Sequence, residues 1–280
     1  MALHPLKQAL KSNKPAFGAW LTLPGTFHAR TVAKSSSDLS WIAVDCEHGL
    51  IPLLPAAAES IAAIEGARPG GGPSAIVRIP ATGVTNSSSW QIKYALDGGA
   101  RGVIVPLVST AAKAREIVAD SRFPPLGRRG FGSPFTHETW GITTSDYIAS
   151  ANDSILVMIQ IENKEAVDNV SEIAKVDGVE LTVAVKLSNK DVLFIGPYDL
   201  SISLGYPTPN PDPHPNVEQV IQKILHAAHA SGKKCAIYCT SGKQAALRAQ
   251  EGFDMINVTS DMGAMSEAIA QHIAVASGTK

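Results

Sequence analysis

Eight short apolar segments recur along this chain of 280 residues, and nearly every one is followed by a stretch with helical periodicity. Alternating strands and helices predict a parallel sheet, and eight such units in about 250 residues are typical of a closed barrel. We therefore predict an α/β protein with one (β/α)8 TIM-barrel domain over residues 1–280. The predicted strands are Phe17–Leu21, Trp41–Asp45, Ala75–Ile79, Gly102–Val105, Leu156–Ile161, Val192–Ile195, Lys234–Cys239 and Met255–Val258.

An open, doubly wound sheet is the alternative arrangement of such alternating elements. It is disfavoured because no G-x-G-x-x-G sequence follows the first strand. Two stretches interrupt the alternation: residues 121–150 are predicted to be irregular, and residues 180–190 alternate like a strand just before Val192. Since a parallel strand needs a helical crossover before it, we predict that 180–190 form an insertion on the N-terminal face of the barrel.

Composition and charge argue against several classes of partner. The formal net charge is −1, and basic residues do not cluster beyond pairs such as Arg128–Arg129, so we expect neither a nucleic acid nor a membrane partner. No apolar run approaches the ~20 residues that a membrane span requires. The three cysteines are an odd, small number for a chain of this length, which favours a reducing compartment. We therefore predict a cytoplasmic protein.

Polar side chains stand at the ends of several apolar strands, where barrel enzymes place their chemistry. Each has an ordinary structural alternative, because an aspartate can cap a turn and a buried arginine can be an ion-pair partner. Their joint occurrence at the ends of four predicted strands favours a functional site. In strand order they are Asp45, Glu47 and His48, then Arg78, then Gln160 and Glu162, and finally Asp199.

Two carboxylates in this set suggest a metal site. Glu162 ends the fifth strand and Asp199 follows the sixth, with no thiolate pair nearby. Carboxylate oxygens without sulfur ligands suit a hard divalent cation such as Mg²⁺ or Mn²⁺.

Six motifs occur in the order in which one family of barrel enzymes carries them. They are VDCEHG at 44–49, VRIP at 77–80, ALDGGARGVIVP at 95–106, GRRGFG at 127–132, QIEN at 160–163 and FIGPYDLSISLG at 194–205. In these motifs the chain resembles the HpcH/HpaI aldolase family, which are metal-dependent (class II) pyruvate aldolases on a TIM barrel. The resemblance covers most of the chain. It implies a carbon–carbon lyase that cleaves or forms 4-hydroxy-2-oxo acids through a metal-bound pyruvate enolate.

The resemblance also implies a role for each polar residue. Glu162 and Asp199 are the expected ligands of the divalent cation, which is Mg²⁺ or Mn²⁺, with Co²⁺ as a further option. Asp45 is expected to order a metal-bound water. The expected substrates are a 2-oxo acid, pyruvate or oxaloacetate, and an aldehyde, and the expected assembly is a homohexamer.

The remaining implied roles concern proton transfer and substrate contact. His48 is the expected catalytic base, assisted by Asp97. Arg78 is expected to hold the keto oxygen, where a fixed positive charge stabilises a developing oxyanion. Gln160 and Tyr198 are expected to contact the substrate.

Three alternatives stay open at this point. The same residues could serve an oxaloacetate decarboxylase or an enzyme like macrophomate synthase, because these reactions share the enolate. A barrel that binds a metabolite without turnover is a candidate from another class. For Arg128 and Arg129 we also consider two hypotheses, an ordinary basic loop or an anion site that reaches a neighbouring subunit.

Overall fold

The computed structural model of the protein describes residues 4–80, 88–176 and 192–279. Its eight strands are parallel and close into one barrel in chain order, with the last strand paired to the first. The predicted (β/α)8 barrel is confirmed, and the doubly wound alternative is excluded because an open sheet would have two edges. The strands are β1 (Ala16–Leu21), β2 (Trp41–Asp45), β3 (Ser74–Arg78), β4 (Gly102–Val105), β5 (Leu156–Ile161), β6 (Val192–Ile195), β7 (Lys234–Tyr238) and β8 (Met255–Ser260).

Helices connect the strands on the outside of the barrel, and a π-helical turn over Leu53–Ala57 precedes the third of them. Their bounds are α1 (Pro5–Lys11), α2 (Thr26–Lys34), α3 (Ala58–Glu65), α4 (Ser89–Asp97), α5 (Ala111–Ser121), α6 (Thr136–Thr139), α7 (Thr144–Ser154), α8 (Lys164–Asp168), α9 (Val170–Ala174), α10 (Pro197–Ser203), α11 (Pro215–Ala230), α12 (Gly242–Gln250) and α13 (Asp261–Ala276).

Alternate side chains of each strand point to opposite faces, so the core has two layers. The layer inside the barrel includes Trp20, Trp41 and Phe194, while a larger layer fills the space between the sheet and the helices. Leu6 and Leu10 of α1 belong to the inner layer. Because α1 precedes β1, it covers the N-terminal end of the barrel and leaves the C-terminal ends of the strands as the mouth.

Helix α6 and most of α7 lie in the stretch 121–150, which the sequence predicts to be irregular. α7 buries only Tyr147 and Ala151, so its sequence has too weak an apolar period to be recognised as a helix.

α10 follows β6 directly, with Pro197 at its first position and Asp199 in its first turn. Both are favourable there, since proline is pre-organised for a helix start and a carboxylate interacts well with the helix dipole.

The predicted insertion at 180–190 lies outside the described residues. Across the described ranges, no helix is both long enough and apolar enough to span a membrane.

The last helix, α13, is unlike the others because it packs on little of its own chain. Within residues 262–276 every side chain is exposed except that of Ala274. A helix that follows β8 in a complete barrel covers the seam between β8 and β1. Here most of α13 does not pack against the barrel of its own chain.

Candidate active site

Arg78 lies at the C-terminal end of β3 and is held by Asp45, its partner at the end of β2. Its Nε donates to Asp45 Oδ1 at 2.8 Å and its Nη2 donates to Oδ2 at 2.7 Å. The guanidinium carbon lies 4.9 Å from the centre of the Trp20 ring. Burial alone would lower the pKa of Arg78, but the hydrogen bond to Asp45 and nearby carboxylate charges raise it. This bidentate pair therefore fixes a permanent positive charge in the mouth.

The turn after β2 places Glu47 and His48 beside this pair. Asp45 Oδ1 accepts the backbone N–H of Glu47 at 3.1 Å and that of His48 at 3.3 Å. Gly49 permits the turn, since a Cβ there would lie 2.4 Å from the carbonyl oxygen of Asp45. Glu47 Oε2 lies 3.1 Å from Arg78 Nη1 and 3.6 Å from His48 Nε2. The His48 side chain is 66% exposed, so its imidazole is accessible to a substrate or a water.

Glu162 is a buried carboxylate of the mouth, with an exposed fraction of 2%. Its Oε1 accepts the backbone N–H of Leu107 at 2.8 Å, and its Oε2 accepts the side-chain amide of Gln160. Burial, together with the charges of Asp199 and Glu47, raises the pKa of Glu162 to about 7 despite the hydrogen bond from Leu107. A carboxylate held in this way is costly to ionise unless a cation is near.

Two backbone features position Glu162, and neither carries a functional side chain. Leu107 has a φ of 53°, in the left-handed region that a leucine rarely adopts. This conformation costs on the order of 1 kcal/mol, and here it accompanies the N–H donated to Glu162. Gly196 leaves room for the carboxylate, because a Cβ there would lie 2.7 Å from Glu162 Oε2. The role of Leu107 could not be predicted from the sequence, whereas Gly196 lies in the motif FIGPYDLSISLG at 194–205.

The mouth gathers more negative than positive charge, which fits a cation site. Arg78 faces the carboxylates of Asp45, Glu47 and Glu162. Asp199 adds its charge beside Glu47 and Glu162. The buried Oε1 of Gln160 has no hydrogen-bond partner within the described parts of the chain. A hard cation held by Glu162 and Asp199 would offset the cost of ionising Glu162.

The donor set defines what kind of metal site this can be. Among residues 4–80, 88–176 and 192–279, no three His, Cys, Asp or Glu side chains are arranged to hold a metal ion. Glu162 and Asp199 would therefore leave coordination positions to water and to substrate oxygens, as Mg²⁺ sites commonly do.

Asp97 lies at the other end of the barrel from His48. It is the last residue of α4, the helix that returns the chain to the N-terminal end of β4. Its Oδ1 accepts from Arg129 Nη2 at 2.8 Å and its Oδ2 accepts from Lys93 Nζ at 2.9 Å. One chain does not bring Asp97 to His48. The assistance expected between them stays a prediction, and it requires the Asp97 of a second copy.

The two arginines of the GRRGFG motif are already engaged. Arg129 is buried, and its Nη1 donates to the Tyr147 hydroxyl at 2.9 Å while its Nη2 holds Asp97. Arg128 is exposed, and its Nε donates to Asp120 at 2.5 Å. Both arginines are therefore engaged by carboxylates of their own chain, although the buried Nε of Arg129 has no partner among the described residues. The hypothesis of an anion site stays a prediction.

One wall of the mouth is aromatic. The rings of Trp20 and Tyr238 meet edge to face with 5.4 Å between their centres, and Tyr238 meets Tyr198 in the same way at 6.3 Å. Tyr198 therefore stands at the rim beside Asp199, while Gln160 is buried next to Glu162. Trp20 and Tyr238 were not predicted, since aromatic residues in strands are most often core residues.

Comparison with known proteins gives consistent matches over nearly the whole chain. Residues 17–268 match the profile of the HpcH/HpaI aldolase/citrate lyase family. A hydroxypyruvate/pyruvate aldolase of Rhizorhabdus wittichii is 33% identical over 272 residues, which cover 97% of this chain and 98% of the relative. A 2-keto-3-deoxy-L-rhamnonate aldolase of Escherichia coli is 30% identical over 284 residues, covering 97% and 92%. The crystal structure of a family protein from Burkholderia cenocepacia J2315 superposes with a TM-score of 0.82 at 30% identity, covering 97% and 98%.

Proposed function

Since the chain belongs to the HpcH/HpaI aldolase/citrate lyase family, we propose that it is a divalent-metal-dependent aldolase that cleaves or forms 4-hydroxy-2-oxo acids through the enolate of pyruvate. The family and the aldolase class, both predicted from the motifs, are confirmed by the match over residues 17–268 and by the aldolase relatives. The observation that carries the proposal is Glu162, a buried carboxylate with a pKa raised to about 7 and within electrostatic range of Asp199 and Arg78.

Glu162 and Asp199 are the residues that would hold the metal. When bound, a divalent cation supplies Lewis-acid polarisation of the keto group of the 2-oxo acid. Asp45 was predicted to order a water near the metal. Its oxygens accept four hydrogen bonds from Arg78 and the following turn, which supports a proposal that Asp45 mainly positions Arg78.

Arg78 and His48 supply the charge and the proton movements. In cleavage, the 4-hydroxyl loses its proton, the C3–C4 bond breaks and the aldehyde leaves. The electron pair of that bond becomes part of the pyruvate enolate, which then takes a proton at C3. Arg78 offers a fixed positive charge to the enolate oxygen, and exposed His48 accepts the hydroxyl proton and returns a proton to C3. Synthesis follows the same steps in reverse.

A 2-oxo acid of the pyruvate type is the proposed donor substrate, in line with the activities for which the relatives are named. Gln160 is proposed to contact the 2-oxo acid. Its side chain lies beside Glu162, and its buried Oε1 has no partner among the described residues. Tyr198 is proposed as a contact at the rim of the mouth.

The test of this function needs no knowledge of the aldehyde. In D₂O with Mn²⁺, the enzyme is expected to exchange the methyl protons of pyruvate for deuterium, which NMR follows directly. EDTA should stop the exchange and added Mn²⁺ or Mg²⁺ should restore it, because enolate formation depends on the cation. A barrel that only binds metabolites would show no exchange. An enzyme that releases CO₂ from oxaloacetate but joins no aldehyde to pyruvate would be a decarboxylase instead.

We also propose that the protein works as a homo-oligomer, a hexamer by the family resemblance, in which α13 packs on another copy. Met262, Met265, Ile269 and Ile273 recur on one face of α13 and all are exposed. Phe27 on α2 and Leu247 on α12 are also exposed. An apolar helix face that is exposed on one chain supports its burial against another copy.

Placing aspartates on that face is expected to break the assembly. The double variant Ile269→Asp/Ile273→Asp puts two charges into the proposed contact, where each would be buried without a partner. Light scattering after size exclusion should then report a smaller particle than the parent. Gln271→Asp, on the opposite side of the same helix, is the matched control and should keep the parent mass. A parent that is monomeric, or a double variant with the parent mass, would contradict the proposal.

A further inference from the structure

The rim of the mouth continues into a cleft beside β7. Tyr198 and Tyr238 form its inner end, and its walls include Pro209, Pro211 and Thr240. Tyr238 is the last residue of β7, half-buried, and its ring lies against Trp20, the residue that carries Arg78 on its face. Tyr198 directly precedes Asp199. The cleft therefore opens beside Asp199 and the Trp20–Arg78 pair.

The outer wall of the cleft is preformed. Gln244 Nε2 donates to the carbonyl oxygen of Pro211 at 2.7 Å and to Asp212 Oδ1 at 3.0 Å, which ties the proline-rich segment 206–215 to α12. The rings of Tyr206 and His214 stack within this segment with 4.4 Å between their centres. A wall that is already ordered loses little entropy when a ligand binds.

The charges around the cleft disfavour an anionic ligand. Among the described residues that line the cleft, Arg248 is the one cation. It is buried and held by Glu218 at 2.6 and 2.7 Å and by Glu251 at 2.8 Å. The mouth that the cleft joins is rich in carboxylates. A carboxylate on the acceptor aldehyde would be repelled by the carboxylates of the mouth, and Arg248 is already paired and could not bind it.

The hydroxyl groups in the lining suit a neutral polar ligand. The Tyr238 phenol shares a hydrogen bond with the side chain of Ser260. Ser260 Oγ also accepts the backbone N–H of Gly263 at 3.1 Å, so the serine is oriented by the start of α13. A phenol oxygen that is engaged in one such bond keeps the capacity to accept another from a substrate hydroxyl.

We propose that the acceptor aldehyde binds in this cleft, and that Tyr238 selects a neutral, hydroxylated aldehyde over one that carries a carboxylate. The inference rests on the proposed aldolase function and adds the substrate class to it. Tyr198 and the prolines supply the apolar surface for the carbon chain, and the Tyr238 phenol recognises a hydroxyl group.

Two matched pairs of aldehydes, each tested with pyruvate and Mn²⁺, examine the proposal. Butanal and succinic semialdehyde have the same four-carbon chain without and with a carboxylate. The parent enzyme is expected to show a kcat/KM at least about tenfold higher for butanal, the equivalent of one unfavourable charge contact. A preference for succinic semialdehyde would overturn the proposal.

Propanal and glyceraldehyde have the same three-carbon chain without and with hydroxyl groups. Tyr238→Phe keeps the ring and removes the phenol oxygen, so the ratio of kcat/KM for glyceraldehyde to that for propanal should fall roughly 2- to 10-fold, the effect of one hydrogen bond. Tyr94→Phe removes an exposed phenol on α4, outside the cleft lining, and it should leave the ratio at the parent value. An unchanged ratio in Tyr238→Phe would show that the phenol does not recognise the acceptor.

The exchange of pyruvate methyl protons by the parent enzyme tests the aldolase function apart from the acceptor specificity, because the exchange requires no acceptor. If the exchange is absent, the proposed function fails and the inference with it. If the exchange is present and the aldehyde ratios run against expectation, the inference alone is wrong.

Discussion

Glu162→Gln is expected to lower the rate of pyruvate proton exchange by at least about 10³-fold, because the loss of a Lewis acid removes several kcal/mol of charge stabilisation. Glutamine keeps the size of the side chain and its acceptor oxygen for the Leu107 N–H, so the fold should persist. The same variant should also lose the rise in unfolding temperature that Mn²⁺ gives the parent, since a ligand stabilises a protein only through binding to its folded state. Asp199→Asn should behave in the same way.

The control is Glu165→Gln, which makes the identical chemical change three residues away on the exposed start of α8. It should keep both the exchange rate and the Mn²⁺ effect. If Glu162→Gln bound Mn²⁺ as tightly as the parent, Glu162 would not be a ligand, and the mouth would have to hold the cation elsewhere.

The same carboxyl group makes a prediction about pH in the absence of metal. Burial raises the pKa of Glu162 from an ordinary 4.5 to about 7, so the folded state binds this proton more tightly than the unfolded state does. The contribution of Glu162 to stability is therefore complete below about pH 4.5 and is lost as the pH rises towards 7, by on the order of 3 kcal/mol. Between pH 5 and pH 8, the metal-free parent should lose more thermal stability than Glu162→Gln does. Parallel curves for the two proteins would contradict the raised pKa.

The sequence predicted the barrel because its buried parallel strands have a recognisable apolar composition. Buried parallel strands are apolar along their whole length, which is why β2, β4, β5 and β6 agree with their predicted bounds to the residue. Side chains alternate between the two faces of a strand, so Gln160 and Glu162 could be placed together from parity alone. Their convergence with Asp45 and Arg78 then followed from the closure of the sheet.

Other features depend on tertiary contacts that cannot be predicted from the sequence. Every residue has a backbone N–H, so nothing distinguishes Leu107 as the donor that holds Glu162. The charge of Arg129 is visible in the sequence, but its partner Asp97 lies 32 positions away, at the end of α4. α13 has the same helical period as its neighbours, and only the fold shows that its apolar face is left exposed.

Arg78 gives the last prediction, because the chain contains a close structural match for it. Arg78 bonds to Asp45 and lies 4.9 Å from the Trp20 ring, while Arg101 bonds to Glu65 and lies 4.0 Å from the Trp140 ring. Both arginines are thus paired with a carboxylate and stacked on a tryptophan. They differ in place, since Arg78 ends β3 at the mouth and Arg101 precedes β4 at the closed end of the barrel.

Replacing each arginine by lysine separates catalysis from support of the fold. Arg78→Lys keeps a positive charge but loses the planar fork, so enolate formation should slow by about 10²- to 10³-fold, the usual cost of a lost oxyanion donor. Arg101→Lys should lower the unfolding temperature through its weakened buried pair, yet keep the exchange rate per folded molecule near that of the parent. Pyruvate proton exchange and thermal unfolding, measured on the same samples, give both quantities. If Arg78→Lys retained the parent exchange rate, its guanidinium would serve only to anchor Asp45 and Trp20, and the charge that stabilises the enolate would have to come from the cation alone.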